Sequence, residues 1–341
     1  MKVLFIQIAL LLFLNCLYSA ILEVNQDGST PYQTIQSAID AAVNGDTVLV
    51  YCGEYIENIN ITNKTICLTS LYGFIQDDNL ISNTIINGNR NGSCVIIDNS
   101  DNVIINGFTI TNGGYVLPDS PCWGGGLFIS YSEVTIKFCV IHDNRGKVGG
   151  GLCIDHSNVN FIGNTIRHNI GNIVGGGFHA LGGSQIIFDE ENLNNIYCNL
   201  GGEGSDLSFT GTIPATIVVI DTFTVQNPDF FYIQRQDSLT ILINNHKIEL
   251  IDDDLYVAPT GDNDNSGLTQ DDPLQTIAYA QMIIKSDSLS NNKIFLEDGV
   301  YSFSLNNQVY PLNVKNYVTI IGESRENTIL DAEDFNPFCY Q

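Results

Sequence analysis

The sequence predicts an all-β fold in which short strands wind into a stacked solenoid, a parallel β-helix. Three Gly-Gly-Gly triplets, at 124–126, 149–151 and 175–177, recur at spacings of 25 and 26 residues, and similar stretches follow each of them. A fixed period of this size is typical of repeat architectures. Each repeat contains short runs rich in Val, Ile, Phe and Thr, separated by Asn, Gly, Ser and Asp. Because one such coil cannot bury its apolar face alone, we expect the coils to stack at about 4.8 Å, the spacing between strands.

The N-terminal segment 1–20 has the composition of a secretory signal peptide. It begins with one lysine, continues with an apolar run from Val3 to Leu14, and ends in the small residues Ser19 and Ala20. This order of regions is typical of a cleaved signal, and the apolar run is shorter than a helix that spans a bilayer. We therefore expect a secreted or cell-surface protein with no transmembrane segment in the mature chain.

A short helix is predicted to cap the N-terminal end of the solenoid. Ile35, Ala38 and Ala42 fall on one helical face, and Gly45 follows the last turn. A cap is needed because the open end of a stack of coils leaves strand edges unpaired.

The asparagines of the repeats occupy a regular position. Asn144, Asn169 and Asn199 each end an Ile-x-x-Asn pattern in three successive repeats. Stacked Asn side chains at a turn hydrogen-bond their neighbours and tolerate a left-handed backbone. We interpret this column as structural.

The opening part of the solenoid occurs a second time. PYQTI at 31–35 matches PLQTI at 273–277, and the strand pattern at 47–55 matches that at 293–301. We therefore expect a second, incomplete β-helix module that starts with its own cap. The predicted regions after the signal peptide are a parallel β-helix at 21–210, a strand-rich connecting segment at 211–254 and the second β-helix entry module at 255–341.

The charge of the chain limits its partners. Thirteen Lys and Arg residues stand against 38 Asp and Glu, for a net charge of −25. Nucleic acids and anionic membrane surfaces require a basic footprint, so we expect neither as a partner. Cations and neutral glycans are compatible with this charge. Nine cysteines, one of them in the predicted signal, leave an even number in the mature chain, but their spacing does not determine a pairing.

Two columns of side chains are candidate ligand-binding sites. Aligned repeats place His142 beside Arg167, and Asp143 beside His168, so that the four groups would share one corner of the solenoid. A His–Asp pair there is suited to acid–base chemistry or to binding sugar hydroxyls. The alternative interpretation is an exposed polar turn.

The second column stacks Tyr131 on His156, with Ser130 on Asp155. Such rings form a face on which a sugar can stack. The alternative is again a polar turn without a ligand.

One loop of the second module carries part of a calcium-binding pattern. Asp262, Asp264 and Ser266 fit the first half of an Asp-x-Asp-x-Ser-Gly calcium loop. Pro273 occupies the position of the bidentate Glu, so one of the two aspartates before it would have to take its place. Calcium is the one cofactor that we consider, and Asx turns explain the same composition without a metal.

Several of these motifs resemble the right-handed parallel β-helix proteins of the pectin-lyase-like superfamily. Gly45-Asp-Thr-Val followed by Gly53-Glu-Tyr is similar to their usual entry, and the triplet coils are similar to repeats of polymorphic outer-membrane proteins. Residues 255–332 resemble a domain of unknown function that precedes β-helices in secreted bacterial proteins. The resemblance implies a right-handed solenoid and a superfamily that includes polysaccharide lyases and hydrolases. The sequence contains no Gly-His-Gly motif of the polygalacturonase-like members.

Three functions are therefore considered. The first is a secreted or cell-surface, non-catalytic module that binds extracellular glycans or other surfaces, as adhesins do. The second is a polysaccharide lyase or glycoside hydrolase that acts at the corner of His142, Asp143, Arg167 and His168. The third is a structural spacer. The sequence does not determine the oligomeric state.

Overall fold

A computed structural model of the chain describes residues 19–115, 123–210, 216–234, 239–310, 312 and 314–333. It places most of the solenoid strands in three parallel sheets, which agrees with the predicted parallel β-helix. Most of the predicted signal peptide 1–20 lies outside the described residues, as do Cys122 and Cys339. No helix in these described ranges has the length and apolarity needed to cross a membrane.

Each sheet collects one strand from successive coils. Sheet A contains Ile21–Val24, Thr47–Val50, Cys67–Ser70, Val103–Asn106, Glu133–Lys137, Asn158–Ile162 and Gln185–Phe188. Sheet B contains Gly53–Ile56, Thr84–Asn87, Thr109–Thr111, Val140–His142, Thr165–Arg167, Asn194–Tyr197, Thr216–Phe223 and Leu239–His246. Sheet C contains Ile59–Thr62, Val95–Asp98, Leu127–Ser130, Leu152–Asp155, Phe178–Leu181, Leu207–Phe209 and Ile233–Gln234.

Apolar and polar residues alternate along the strands, so the apolar face of each strand points towards the core. In sheet A, Ile136 pairs in register with Ile105 on one side and Phe161 on the other, and all three are fully buried. Phe161 then stacks on Phe188 of the next coil, with ring centroids 5.4 Å apart. Similar side chains therefore form continuous columns inside the solenoid, which buries an apolar face that no single coil could bury.

The predicted asparagine ladder is confirmed. The backbone N–H of Asn144 donates to Oδ1 of Asn169 (3.1 Å), and that of Asn169 donates to Oδ1 of Asn199 (3.0 Å). All three side chains are buried, and the residue before each adopts a left-handed backbone, with φ between 52° and 54°. The ladder ends on Asp206, whose Oδ1 accepts from the N–H of Asn199 (3.2 Å).

The other two corners carry ladders that the sequence analysis missed. At the corner between sheets C and A, the N–H of Ser132 donates to Oγ of Ser157 (3.0 Å), and that of Ser157 to Oγ of Ser184 (3.1 Å). Between sheets A and B, the N–H of Asn164 donates to Oδ1 of Asn194 (2.8 Å). The serine ladder could have been predicted from the sequence, because a Ser occupies the same position in successive repeats.

The glycine triplets are explained by close backbone approach. A Cβ on Gly125 would lie 2.4 Å from the carbonyl oxygen of Gly150, and one on Gly150 would lie 2.5 Å from that of Gly176. The crowding arises because the triplets of neighbouring coils stack on one another and a fourth, small parallel sheet packs beside them. Its strands are Arg145–Val148, Ile170–Val174 and Leu200–Glu203.

The predicted cap is helix α1 (Ile35–Ala41), and its repeat is α4 (Ile277–Ile283). Thr34 and Thr276 cap the two helices through the same side-chain bond. The remaining helices are α2 (Tyr72–Ile75), α3 (Asn79–Asn83) and α5 (Phe303–Asn306). The second module contains the strands Leu255–Val257, Lys293–Leu296, Gly299–Ser302, Thr319–Gly322 and Thr328–Asp331, and a short antiparallel pair in the first solenoid joins Asn91–Gly92 to Gly114–Tyr115.

The segment predicted as a connection, 211–254, supplies the last strands of the first solenoid. Thr216–Phe223 and Leu239–His246 extend sheet B, and Ile233–Gln234 extends sheet C. The burial of Ile220 and Phe223 explains the extension, because these apolar side chains continue the core. The first solenoid therefore continues beyond the predicted boundary at residue 210.

Asp206, at the end of the asparagine ladder, makes stability depend on pH. Burial raises the pKa of Asp206 to about 7, so the folded state holds its proton more tightly than the unfolded state does. The resulting stabilisation is complete below the unfolded pKa, near 4, and is lost as the pH rises through about 7. We expect Asp206→Asn to remove, between pH 5 and pH 8, on the order of 2 kcal/mol of pH-dependent stability, at about 1.4 kcal/mol per pKa unit.

Chemical denaturation at the two pH values measures this difference. Asp253→Asn changes an exposed carboxylate and serves as the control. Equal pH dependence in the wild type and in Asp206→Asn would contradict the assignment.

Candidate functional site

The predicted corner assembles as expected from the repeat alignment. His142 and Arg167 pair in register on adjacent strands of sheet B. Asp143 and His168 follow them, both in the left-handed conformation that starts the turn, with φ of 53° and 52°. All four side chains therefore lie on two neighbouring coils.

Two short contacts organise this corner. Nδ1 of His142 lies 2.6 Å from Oδ2 of Asp143, and Nη1 of Arg167 donates to Nδ1 of His168 at 3.0 Å. Because Nδ1 of His168 accepts this bond, its proton must lie on Nε2 in the neutral ring. The corner thus presents one oriented imidazole on each coil.

The surroundings of the corner lower the pKa of both Asp143 and His168. The hydrogen bond from His142 lowers the pKa of Asp143, and the positive charges nearby lower it further. Partial desolvation and the charge of Arg167 lower the pKa of His168, although Asp143 opposes them. At neutral pH Asp143 is therefore a carboxylate that accepts hydrogen bonds, and His168 is an uncharged imidazole.

The aromatic column also forms as predicted. The rings of Tyr131 and His156 stack with centroids 4.9 Å apart and an interplanar angle of 13°, and Tyr131 is 57% exposed. Oδ1 of Asp155 lies 2.7 Å from Nδ1 of His156, and Ser130 donates to Asp98 at 2.6 Å. An exposed ring is therefore flanked by two half-buried carboxylates.

Gly182 allows the ring of His156 to pack closely against the next coil. A Cβ on Gly182 would lie 2.4 Å from Nδ1 of His156. The imidazole therefore rests against the backbone of the next coil, and the side chains of His156 and Tyr131 are both about half exposed.

The predicted calcium loop is organised by hydrogen bonds of its own. Oδ1 of Asp262 accepts from the N–H of Asp264 (3.0 Å), and Ser266 donates its hydroxyl to Oδ2 of Asp272 (2.7 Å). Nowhere in the described ranges do three or more His, Cys, Asp or Glu side chains gather closely enough to hold a metal ion. The calcium assignment stays a prediction from the sequence.

The structure brings the corner and this loop to one cavity. Asp143 and His168 line it from the first solenoid, and Asp264 lines it from the second module. Arg90, which the sequence analysis missed, lies on the same cavity. It belongs to a coil without a glycine triplet, so no repeat alignment indicated its position. Tyr131 and His156 lie at a different corner, between sheets C and A.

Comparison with known proteins identifies the fold. A family model described as a right-handed β-helix region matches residues 20–193. A search of curated proteins gave no match.

Solved structures similar to this chain include three pectin methylesterases. One in complex with a hexasaccharide is 12% identical, covers 93% of both chains and has a TM-score of 0.41. The enzyme from Erwinia chrysanthemi is 12% identical, covers 92% of this chain and 93% of its own, and scores 0.40. The carrot enzyme is 13% identical, covers 91% and 85%, and scores 0.37. At these identities and scores the similarity carries no argument about activity.

The proximity of Asp143 and His168 predicts a coupled titration. Removing the carboxylate in Asp143→Asn should lower the pKa of His168 further, because Asp143 favours the charged imidazole. NMR titration of the His168 ring measures the shift. Asp155→Asn, beside His156 at another corner, should leave His168 unchanged. The same His168 pKa in both variants would mean that the corner does not form in solution.

Proposed function

The chain belongs to the right-handed β-helix family, and on that premise we propose that it is a secreted or cell-surface module that binds carbohydrate without cleaving it. The fold supplies rows of side chains at fixed spacing along the solenoid, which suits a repeating polymer. The chemistry has to come from particular sites on that frame.

The exposed Tyr131 column is the observation that carries this proposal. Sugar rings stack on exposed aromatic faces, and neighbouring carboxylates accept hydrogen bonds from sugar hydroxyls. Tyr131 offers such a face, and Asp98 and Asp155 lie beside the column. His156 supports the ring from below through a stacked contact. The combination is rigid and costs little conformational entropy on binding.

The corner supports binding rather than cleavage. Most glycoside hydrolases need one carboxyl that holds its proton and a second that is ionised. Asp143 is the one carboxylate among His142, Asp143, Arg167 and His168, and its pKa is lowered. It is suited to accept hydrogen bonds from hydroxyls, and the neutral His168 can donate through Nε2.

A secreted location fits the rest of the chain. The segment 1–20 supports export, and the net charge of −25 suits an extracellular surface that stays soluble. The same charge disfavours polyanionic partners, so neutral glycans are the class of ligand that we propose.

A second candidate function is a polysaccharide lyase or glycoside hydrolase. The 2.6 Å contact between His142 and Asp143 favours it, because a carboxylate that orients an imidazole prepares it to act as a base. In this case the corner would be the active site, and the proton would be taken up by His142.

A glycan array with the full mature chain tests the proposal. We expect retention of neutral glycans without release of sugars, and Tyr131→Ala should weaken retention about fivefold, the effect of about 1 kcal/mol of lost stacking. Tyr317→Ala is a matched control, since Tyr317 is also 57% exposed and has a left-handed backbone.

The array also separates the alternatives. Release of sugars that His142→Ala abolishes would replace the proposal with the hydrolase or lyase. Absence of retention on every glycan would contradict both functions and favour a structural spacer.

A further inference from the structure

A cleft with a volume of about 420 Å³ lies between the first solenoid and the second module. We call it the junction cleft. The first solenoid contributes Arg90, Asp143 and His168 to it, and the second module contributes Asp264, Gln275 and Tyr279. Its volume lies within the range of about 300–1,000 Å³ that is usual for small-molecule sites in proteins.

The two walls are joined by specific bonds that set their separation. The hydroxyl of Tyr232, at the end of the first solenoid, donates to the carbonyl of Met282 in α4. Lys315 of the second module donates to the same hydroxyl at 2.9 Å. Ile251 adds a parallel bridge to Ile284, in which its N–H donates to the carbonyl of Ile283 at 2.8 Å. The cleft is therefore preformed and does not depend on a loop closing.

Sequence differences between the two cap helices match their different surroundings and indicate that the second helix is adapted to pack on the first solenoid. Met282 of α4 is buried, whereas Asp40 at the equivalent position of α1 is exposed. Tyr279 likewise replaces Ser37. The outer face of α1 is solvated, and the equivalent face of α4 is apolar and packs on the first solenoid.

Several polar groups in the junction cleft are available to a ligand. The side chains of Gln275 and Tyr279 are half-buried, and they accept or donate no hydrogen bond within the described ranges. The carboxylate of exposed Asp264 is likewise without a protein hydrogen bond there. Asn263, in contrast, is used by the loop, since its Oδ1 accepts from the N–H of Gln275 (3.0 Å). Half-buried amides and hydroxyls normally find partners, so these groups bond to water or to a ligand.

The charges of the junction cleft balance. Arg90 and Arg145 contribute two positive charges, and Asp143 and Asp264 contribute two negative charges. His168 adds none at neutral pH, because its pKa is lowered. A strongly charged ligand would meet like charge on one side of the cleft. Hydroxyl groups, which both donate and accept, can bond to guanidinium, carboxylate and amide alike.

We infer that the junction cleft binds the end of an uncharged oligosaccharide, with sugar hydroxyls bonded to Gln275, Tyr279 and Asp264 on one wall and to Asp143 and His168 on the other. This inference rests on the proposed function and names the ligand class and a second site for it. Because both modules supply contacts, neither module alone forms the complete site.

Calorimetric titration of the full mature chain tests this inference. The probes are neutral tetrasaccharides of glucose, mannose, galactose or xylose units, with a uronic acid tetrasaccharide for comparison. We expect at least one neutral probe to bind more tightly than the uronic acid probe. Gln275→Met and Tyr279→Phe should each weaken that binding about fivefold, the effect of one lost hydrogen bond of about 1 kcal/mol.

The duplicated cap provides a matched control. Gln33 is the equivalent of Gln275 in the first copy and is exposed within the described part of the chain, so Gln33→Met should bind the probe as the wild type does. If Tyr279→Phe lowers the Tm, Asp264→Asn replaces it as the test variant, because Asp264 lies on an exposed loop.

The outcomes separate this inference from the proposed function. Binding that falls in Tyr131→Ala but is unchanged in all the cleft variants would overturn the inference and leave the proposed function in place. Binding that falls in the cleft variants alone would support the inference and move the carbohydrate site away from Tyr131. Tighter binding of the uronic acid probe would overturn the uncharged class, and no binding of any probe would overturn the inference.

Discussion

Hydrogen bonding between stacked asparagines holds the coils of this protein in register, and the surface depends on that register. A slip of one residue between parallel strands would send every side chain to the opposite face. The bonds from Asn144 to Asn169 and from Asn169 to Asn199 prevent it at one corner, and serine and asparagine ladders do so at the others. Asn144, Asn169 and Asn199 each follow a left-handed turn position, so the same interaction also determines where the chain bends at that corner.

The exposed columns are a direct consequence of this arrangement. Asp143 and His168 occupy the left-handed positions immediately before two ladder asparagines, and Tyr131 and His156 do so before two ladder serines. Their backbones are held by buried bonds one residue away. Surface side chains at these positions are therefore presented at a fixed spacing, while their identity is unconstrained by the core. This separation lets a solenoid change its ligand without changing its fold.

Duplication of the cap has a different consequence. At the N-terminus, α1 meets solvent with polar residues such as Ser37 and Asp40. In the second copy, the same helix meets the end of another solenoid and carries Tyr279 and Met282 in their place. The cap helix covers the end of one stack of coils in the first copy, and in the second copy it forms the contact between the two modules. The junction cleft is lined by residues of both modules.

The sequence by itself determined the parts that depend on local spacing. The repeat period predicted the solenoid, Ile-x-x-Asn predicted the ladder, and gapless alignment of two repeats predicted that His142 lies beside Arg167 and that Tyr131 stacks on His156. These succeed because neighbouring coils of nearly equal length must stack residue on residue. Only the tertiary structure decided which distant segments meet. It placed Arg90 and Asp264 on the same cavity as Asp143 and ended the ladder on Asp206. The chain between these residues varies in length, so no period relates them, and their positions follow from how whole modules pack.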